Sequence, residues 1–93
     1  MIHSLLQEAS DLITEDRRDA YGPYSIEATK LAILWSAILG VNIPPHKIPL
    51  CMILLKLVRE TNKHQRDNLC DIAGYTALAS DLFEETEQPT DKI

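Results

Sequence analysis

The stretch LCMILLKLVRETNKHQRDNLCDIAGY, residues 50–75, decides the fold of this chain. Its first nine residues are apolar except for Lys56, and Arg59, Lys63 and Arg66 follow. Asp67, Asp71 and Tyr75 then recur every four residues, a spacing that stacks side chains on one face of a helix. The polar residues 61–65 can turn the chain back, and short loops favour antiparallel neighbours. The reading is a helical hairpin with cations on one arm and a carboxylate pair on the other, an arrangement suited to a phosphate bound with a divalent metal.

Working outward, Ile2, Leu5, Leu6, Ala9, Leu12 and Ile13 follow the i, i+3, i+4, i+7 rule over the first fifteen residues, with Glu8 and Asp11 off the stripe. A first helix is expected there, ended by the charged segment that closes on Gly22-Pro23, since proline disfavours helix in the residue before it. Ser25 is placed to cap a second helix carrying Ile26, Leu31, Ile33, Leu34, Trp35, Ile38 and Leu39, and Gly40 stands where a left-handed stop belongs. Residues 41–49 hold three of the five prolines, so a third helix begins at about His46 or Ile48, with Pro49 in its first turn, and runs to about Glu60. Leu69, Ile72, Ala73, Ala77, Leu82 and Phe83 carry a fourth to about Glu85.

The expected fold is therefore all-α: a four-helix antiparallel bundle forming one domain over residues 1–86, with an acidic tail over 87–93. The third helix, apolar nearly all round, should be the central element or a subunit interface. A helix flanked on every side needs more partners than three neighbours provide, which points to a homo-oligomer.

Composition narrows the function classes. Of the net charge of −5, residues 81–93 supply −4, and four of the nine cations fall between Lys56 and Arg66. Duplex nucleic acid demands a wider positive footprint, so it is not an expected partner. No apolar stretch is long enough to span a bilayer and no basic segment precedes an apolar core at the N-terminus, so no membrane association is expected and the protein is read as cytosolic. Cys51 and Cys70 lack metal-site spacing and read as reduced, buried thiols. Phosphate-loop, zincin and hydrolase-elbow motifs do not occur.

The residues able to carry chemistry each have two readings. Lys56, amid apolar neighbours, must either snorkel to water or meet an anion, because an unpaired buried ammonium costs several kcal/mol. Asp67 and Asp71, one turn apart, can converge on Mg²⁺, which takes oxygen ligands; alternatively Asp67 caps the fourth helix. Arg59 and Arg66, with His64 nearby, can hold phosphate. Asn68 and Tyr75 extend the polar stripe toward Gly74; Tyr75 either stacks on a base or packs as core, and Gly74 admits a ligand or a helix. Arg17 and Tyr21, on the loop after the first helix, form a second candidate cluster.

These residues resemble a group of small proteins common in bacteriophage genomes. The likeness lies in Ile13-Thr14, Asp16-Arg17-Arg18, Tyr21-Gly22, Leu34-Trp35-Ser36-Ala37, Leu39-Gly40, Met52-Ile53-Leu54-Leu55-Lys56, Arg66-Asp67-Asn68 and Asp71-Ile72-Ala73-Gly74-Tyr75, spanning about residues 13–79. More distantly, the hairpin is similar to the all-α nucleoside triphosphate pyrophosphohydrolases of the MazG type, which use Mg²⁺ held by helix-borne acids. That family carries a Glu-Glu-x-x-Glu run on one helix and Glu-x-x-Asp on the next; here the matching positions offer Lys56, and Asn68-x-x-Asp71. Only Asp71 carries over. The leading expectation is a nucleotide or nucleotide-derived ligand between helices three and four, hydrolysed with Mg²⁺ as in the MazG type or merely held, with Lys56, Arg59 and Arg66 on phosphates, Asp67 and Asp71 as metal-holding catalytic acids, and Asn68, Tyr75, Arg17 and Tyr21 on the rest of the nucleotide. The alternative is a non-catalytic protein-interaction module in which Lys56 and Asp71 form an internal ion pair.

Overall fold

The computed structural model describes residues 2–16 and 23–86, with the side chains of 15, 16, 85 and 86 left undescribed; Arg17, Tyr21 and the 87–93 tail lie outside these residues. The described chain is all-α, with no strand: α1 Ser4–Asp11, α2 Tyr24–Leu39, α3 Lys47–Asn62 and α4 Arg66–Thr86. Helix α1 widens at its end into a π-helical turn, Leu12–Asp16. Its start is capped by His3, whose Nδ1 accepts the Leu5 N–H at 3.1 Å. One orphan donor of the first turn is thereby satisfied.

Helix α2 opens one residue before the expected cap. Pro23 takes the N-cap position in extended conformation, with no side-chain cap bond, and Ser25 lies inside the first turn. Proline's fixed φ suits helix entry, and the Pro23 carbonyl accepts the Ile26 and Glu27 N–H groups at 3.1 and 3.4 Å. At the other end Gly40 adopts φ 72° and donates its N–H to Ser36 O, the expected left-handed stop. In α3, Pro49 falls at the third position, where its missing N–H removes no helical bond.

Helix α4, and not α3, is the central element. It packs along α3 on one side and along α1 on the other. The three-residue link after Asn62 makes α3 and α4 antiparallel, while α1 runs in the same sense as α4: Glu8 meets Arg66 and, further along both, Ile13 meets Gly74. A Cβ on Gly74 would lie 3.1 Å from Ile13 Cγ2 and 3.8 Å from Ala9 O, so this glycine lets α1 approach the α4 backbone. Of the two readings of Gly74, close helix packing is the one observed.

The core joins Tyr24, Ala28 and Ala32 of α2 to Ile48 of α3 and Leu78 and Leu82 of α4. Ile48 is fully buried at this junction. Tyr75 packs against the cluster, its ring centroid 6.3 Å from that of Tyr24. His46, just before α3, sets its ring edge-on to Phe83 at 5.2 Å and pins the start of α3 to the end of α4. Much of α2 and the outer face of α3 stay uncovered: Ile33, Leu34, Ile38, Leu54 and Val58 are exposed. Cys70 is buried as expected, but Cys51 belongs to this uncovered face and is exposed. Among the described residues no helix is long and apolar enough to cross a membrane.

Candidate functional site

The α3–α4 hairpin is held by a carboxylate that periodicity does not single out. Glu60, in the last turn of α3, reaches across the link: its Oε1 accepts the Gln65 N–H at 3.0 Å and the Asn68 amide at 3.1 Å, while its Oε2 pairs with His64. The carboxylate thus completes the start of α4, a role the Asp67 capping alternative had given to Asp67. Asp67 sits instead within the first turn of α4, where its charge meets the positive end of the helix dipole. Asn68 is buried, its amide spent on Glu60. Helical spacing could not have found it, since α3 ends at Asn62 and His64, Gln65 and Asn68 all lie beyond it.

Hydrogen bonds from His64, the Gln65 backbone and Asn68 hold the Glu60 carboxyl down to a pKa of about 2. A carboxyl depressed in the folded state contributes stability that is present above its unfolded value, near 4.5, and lost as pH falls toward about 2. Wild-type Tm is therefore expected to fall across that window by more than in Glu60→Gln. That variant should also open amide exchange at Gln65 and Asn68 at neutral pH. Identical acid profiles for the two proteins would refute the pinning role.

One turn further along, Lys56 Nζ lies 2.8 Å from Asp71 Oδ2, with 15% and 25% of the two side chains exposed. The lysine points from the inner face of α3 toward α4 and meets an anion there. Antiparallel packing brings these residues together: the Glu60–Asn68 contact sets the register, and Lys56 and Asp71 follow one turn away on each helix.

An open groove of about 560 Å³ runs over this seam, its lining including Lys56, Arg59, Lys63, Asp67, Asn68 and Asp71. That volume is within the range of small-molecule sites, ~300–1,000 Å³. The structure thus brings together Lys56, Arg59, Asp67, Asn68 and Asp71. Tyr75 is not among the lining residues; it borders a smaller pocket with Leu12, Ile13, Asp71, Gly74 and Leu78, so Asp71 is shared by both. Arg66 is turned away: its guanidinium bonds Glu8 and, at 3.4 Å, Ser4 Oγ, tying α4 to α1. That contact lowers the Glu8 pKa and raises that of Arg66, each chiefly through their shared hydrogen bond. Lys63, which also lines the groove, stands in the place expected of Arg66.

For a divalent cation the donor set is small. Among the described residues no three His, Cys, Asp or Glu side chains gather closely enough to hold a metal. Asp71 is neutralised by Lys56, leaving Asp67 as the exposed carboxylate of the groove. Mg²⁺ is often bound through one or two carboxylates plus substrate phosphates, and this set fits that shared mode and not a preformed cage.

The fold and groove define a small all-α protein with a mixed-charge seam between two antiparallel helices. The chain belongs to the family described as Domain of unknown function (DUF6378), whose model matches residues 4–83. It is 33% identical over 91 residues to the Gene 55 protein of Mycobacterium phage L5, covering 96% of this chain and 56% of that relative. It is also 33% identical over 86 residues to the Gene 55 protein of Mycobacterium phage D29, covering 91% and 57%. The chain spans little more than half the length of these relatives. The likeness to small bacteriophage proteins read from the sequence holds at this level. No solved structure matches the chain.

Proposed function

We propose that the α3–α4 groove binds the phosphates of a nucleotide or nucleotide-derived small molecule. The observation that carries this reading is the convergence of Lys56, Arg59 and Lys63 on one groove with Asp67 and Asp71. Arg59 offers a planar fork and Lys63 an exposed ammonium, neither in an ion pair among the described residues, and Lys56 is paired with Asp71. Asp67 would receive Mg²⁺ arriving with the phosphates; when bound, the ion would neutralise phosphate charge and polarise a phosphoryl oxygen. Turnover of the MazG type, releasing pyrophosphate, is the catalytic form of this reading, and simple sequestration the other.

The test is a thermal-shift panel of nucleoside mono-, di- and triphosphates and signalling dinucleotides, with and without Mg²⁺, followed by pyrophosphate release. A ligand at 100 times its Kd stabilises the folded state by about 2.7 kcal/mol, an easily read shift. Binding should weaken at least tenfold in Arg59→Ala/Lys63→Ala, and Asp67→Asn should remove the Mg²⁺ dependence. No shift with any phosphate at millimolar concentration would sink the reading.

A second reading has its own support. The Lys56–Asp71 pair is already satisfied within the chain, which is what a structural bridge in a protein-interaction module requires. In that case the phosphate panel is silent.

A further inference from the structure

We infer that the slot between the π turn of α1 and the middle of α4 takes the base of the ligand whose phosphates the α3–α4 groove holds, and that Asp71 selects there for a base with an exocyclic amino group. The inference rests on the phosphate reading of the groove and adds to it which nucleotides bind. Slot and groove are parts of one trench. On α4, Asp67, Asp71, Tyr75 and Leu78 point within about a quarter turn of one another and form a ridge. Helix α3 flanks the ridge with Lys56, Arg59 and Lys63, and α1 flanks it with Glu8, Asp11 and Leu12. Asp67 and Asp71 line the openings on both sides. Asp71 then continues into the slot, where Gly74, Tyr75 and Leu78 face Leu12 and Ile13.

Charge orients a ligand lying in this trench. Its phosphates belong on the α3 side, because the opening on the α1 side is lined by Glu8, Asp11 and Asp67 and by no cation. The slot differs from both: it is apolar apart from Asp71 and holds about 100 Å³, open on one side, so a planar ring enters it by one edge. An apolar lining with one placed polar group is the usual make-up of a site for an organic ring. Lys56 holds Oδ2 of Asp71 at 2.8 Å and neutralises the carboxylate, while Oδ1 takes no hydrogen bond among the described residues. A carboxylate oxygen only accepts, so Oδ1 calls for an N–H from the ring edge. Cytosine and adenine present an amino group at the position where uracil and hypoxanthine present a carbonyl oxygen, and acidic side chains accept from the cytosine amino group in nucleic-acid recognition. A carbonyl there would set lone pairs against lone pairs and leave both oxygens unpaired in an apolar slot. The ring N–H of uracil gives no escape, since it lies between two carbonyl oxygens that the carboxylate repels.

The test titrates the full chain with matched pairs, cytidine against uridine triphosphate and adenosine against inosine triphosphate, and with inorganic triphosphate as the probe of the groove alone. The amino-bearing member of each pair should bind at least tenfold tighter than its carbonyl counterpart. In amide spectra the Gly74 N–H should shift with cytidine triphosphate and stay in place with inorganic triphosphate. Leu12→Trp enlarges a side chain at the exposed end of the slot, outside the protomer core, and should erase the preference while leaving the binding of inorganic triphosphate unchanged. Equal or reversed affinity within either pair, with inorganic triphosphate still bound, leaves the phosphate groove standing and overturns the base slot, as does a Gly74 signal that no nucleotide moves. Failure of every triphosphate to bind removes the groove reading and the slot with it. A preference that survives Leu12→Trp overturns the assignment of the base to this slot.

Discussion

Lys56→Met is expected to destabilise the chain by about 2 kcal/mol, between the ~0.2–1 kcal/mol of an exposed pair and the ~3–5 kcal/mol of breaking a fully buried one. With 15% and 25% of the two side chains exposed, water can reach part of the Asp71 carboxylate but not all of it. For a domain of this size each 1 kcal/mol moves Tm by roughly 4–8 °C, so the loss is readable by calorimetry. The companion double variant Lys56→Met/Asp71→Leu should recover most of that stability, because it leaves no unpaired charge at the seam. The two readings of the groove then separate. If the pair is only a bridge, the double variant is equivalent to wild type in every assay; if the groove takes phosphate, it folds but no longer shows the ligand-induced shift. An unchanged denaturation midpoint in Lys56→Met would show that the pair contributes nothing to the seam.

Ile48→Ala should have the larger effect on folding, about 3 kcal/mol within the ~2–5 kcal/mol range for Ile→Ala in a core. Ile48 is fully buried where α2, α3 and α4 meet, so its truncation removes both the transfer of its methylenes from water and contacts to Ala28, Leu78 and Leu82 across the junction. Against a total stability of roughly 5–14 kcal/mol for a chain this long, that is a substantial fraction. The urea midpoint should fall with little change in slope, since the surface exposed on unfolding is nearly the same. A loss below about 1 kcal/mol would mean that the junction is not the core.

The two experiments bear on different levels of the molecule. Ile48 tests whether α2 is docked on the hairpin at all, since Tyr24, Ala28 and Ala32 are its buried residues in the cluster. Lys56 tests the hairpin itself. If both outcomes hold, the groove sits on a scaffold whose register is pinned by Glu60 and whose third wall depends on α2.

Much of this was legible in residue order. Apolar periodicity, Gly40 and the prolines around α3 placed four helices within about two residues of where they lie, because helix propensity, capping and proline exclusion act over a single turn. The demand of Lys56 for an anion was also legible, since a charge among aliphatic neighbours is costly whatever the fold. Ser25 was misplaced as a cap because the helix begins at Tyr24, its first backbone bonds accepted by the Pro23 carbonyl. Glu60 went unread because its three partners lie beyond the end of its helix, and their arrangement exists only once the chain has turned.

What residue order determined by itself was the element list, the all-α class and the clustering of four of the nine cations between Lys56 and Arg66: these follow from interactions within a few residues. The tertiary structure alone decided that α4 and not α3 is the centre, that Arg66 turns to Glu8 while Lys63 joins the groove, and that the aliphatic faces of α2 and α3 stay open. The physical reason is that periodicity reports which positions avoid water without naming what shields them, and a pair such as Lys56 and Asp71, fifteen residues apart, meets only through the register in which two helices pack.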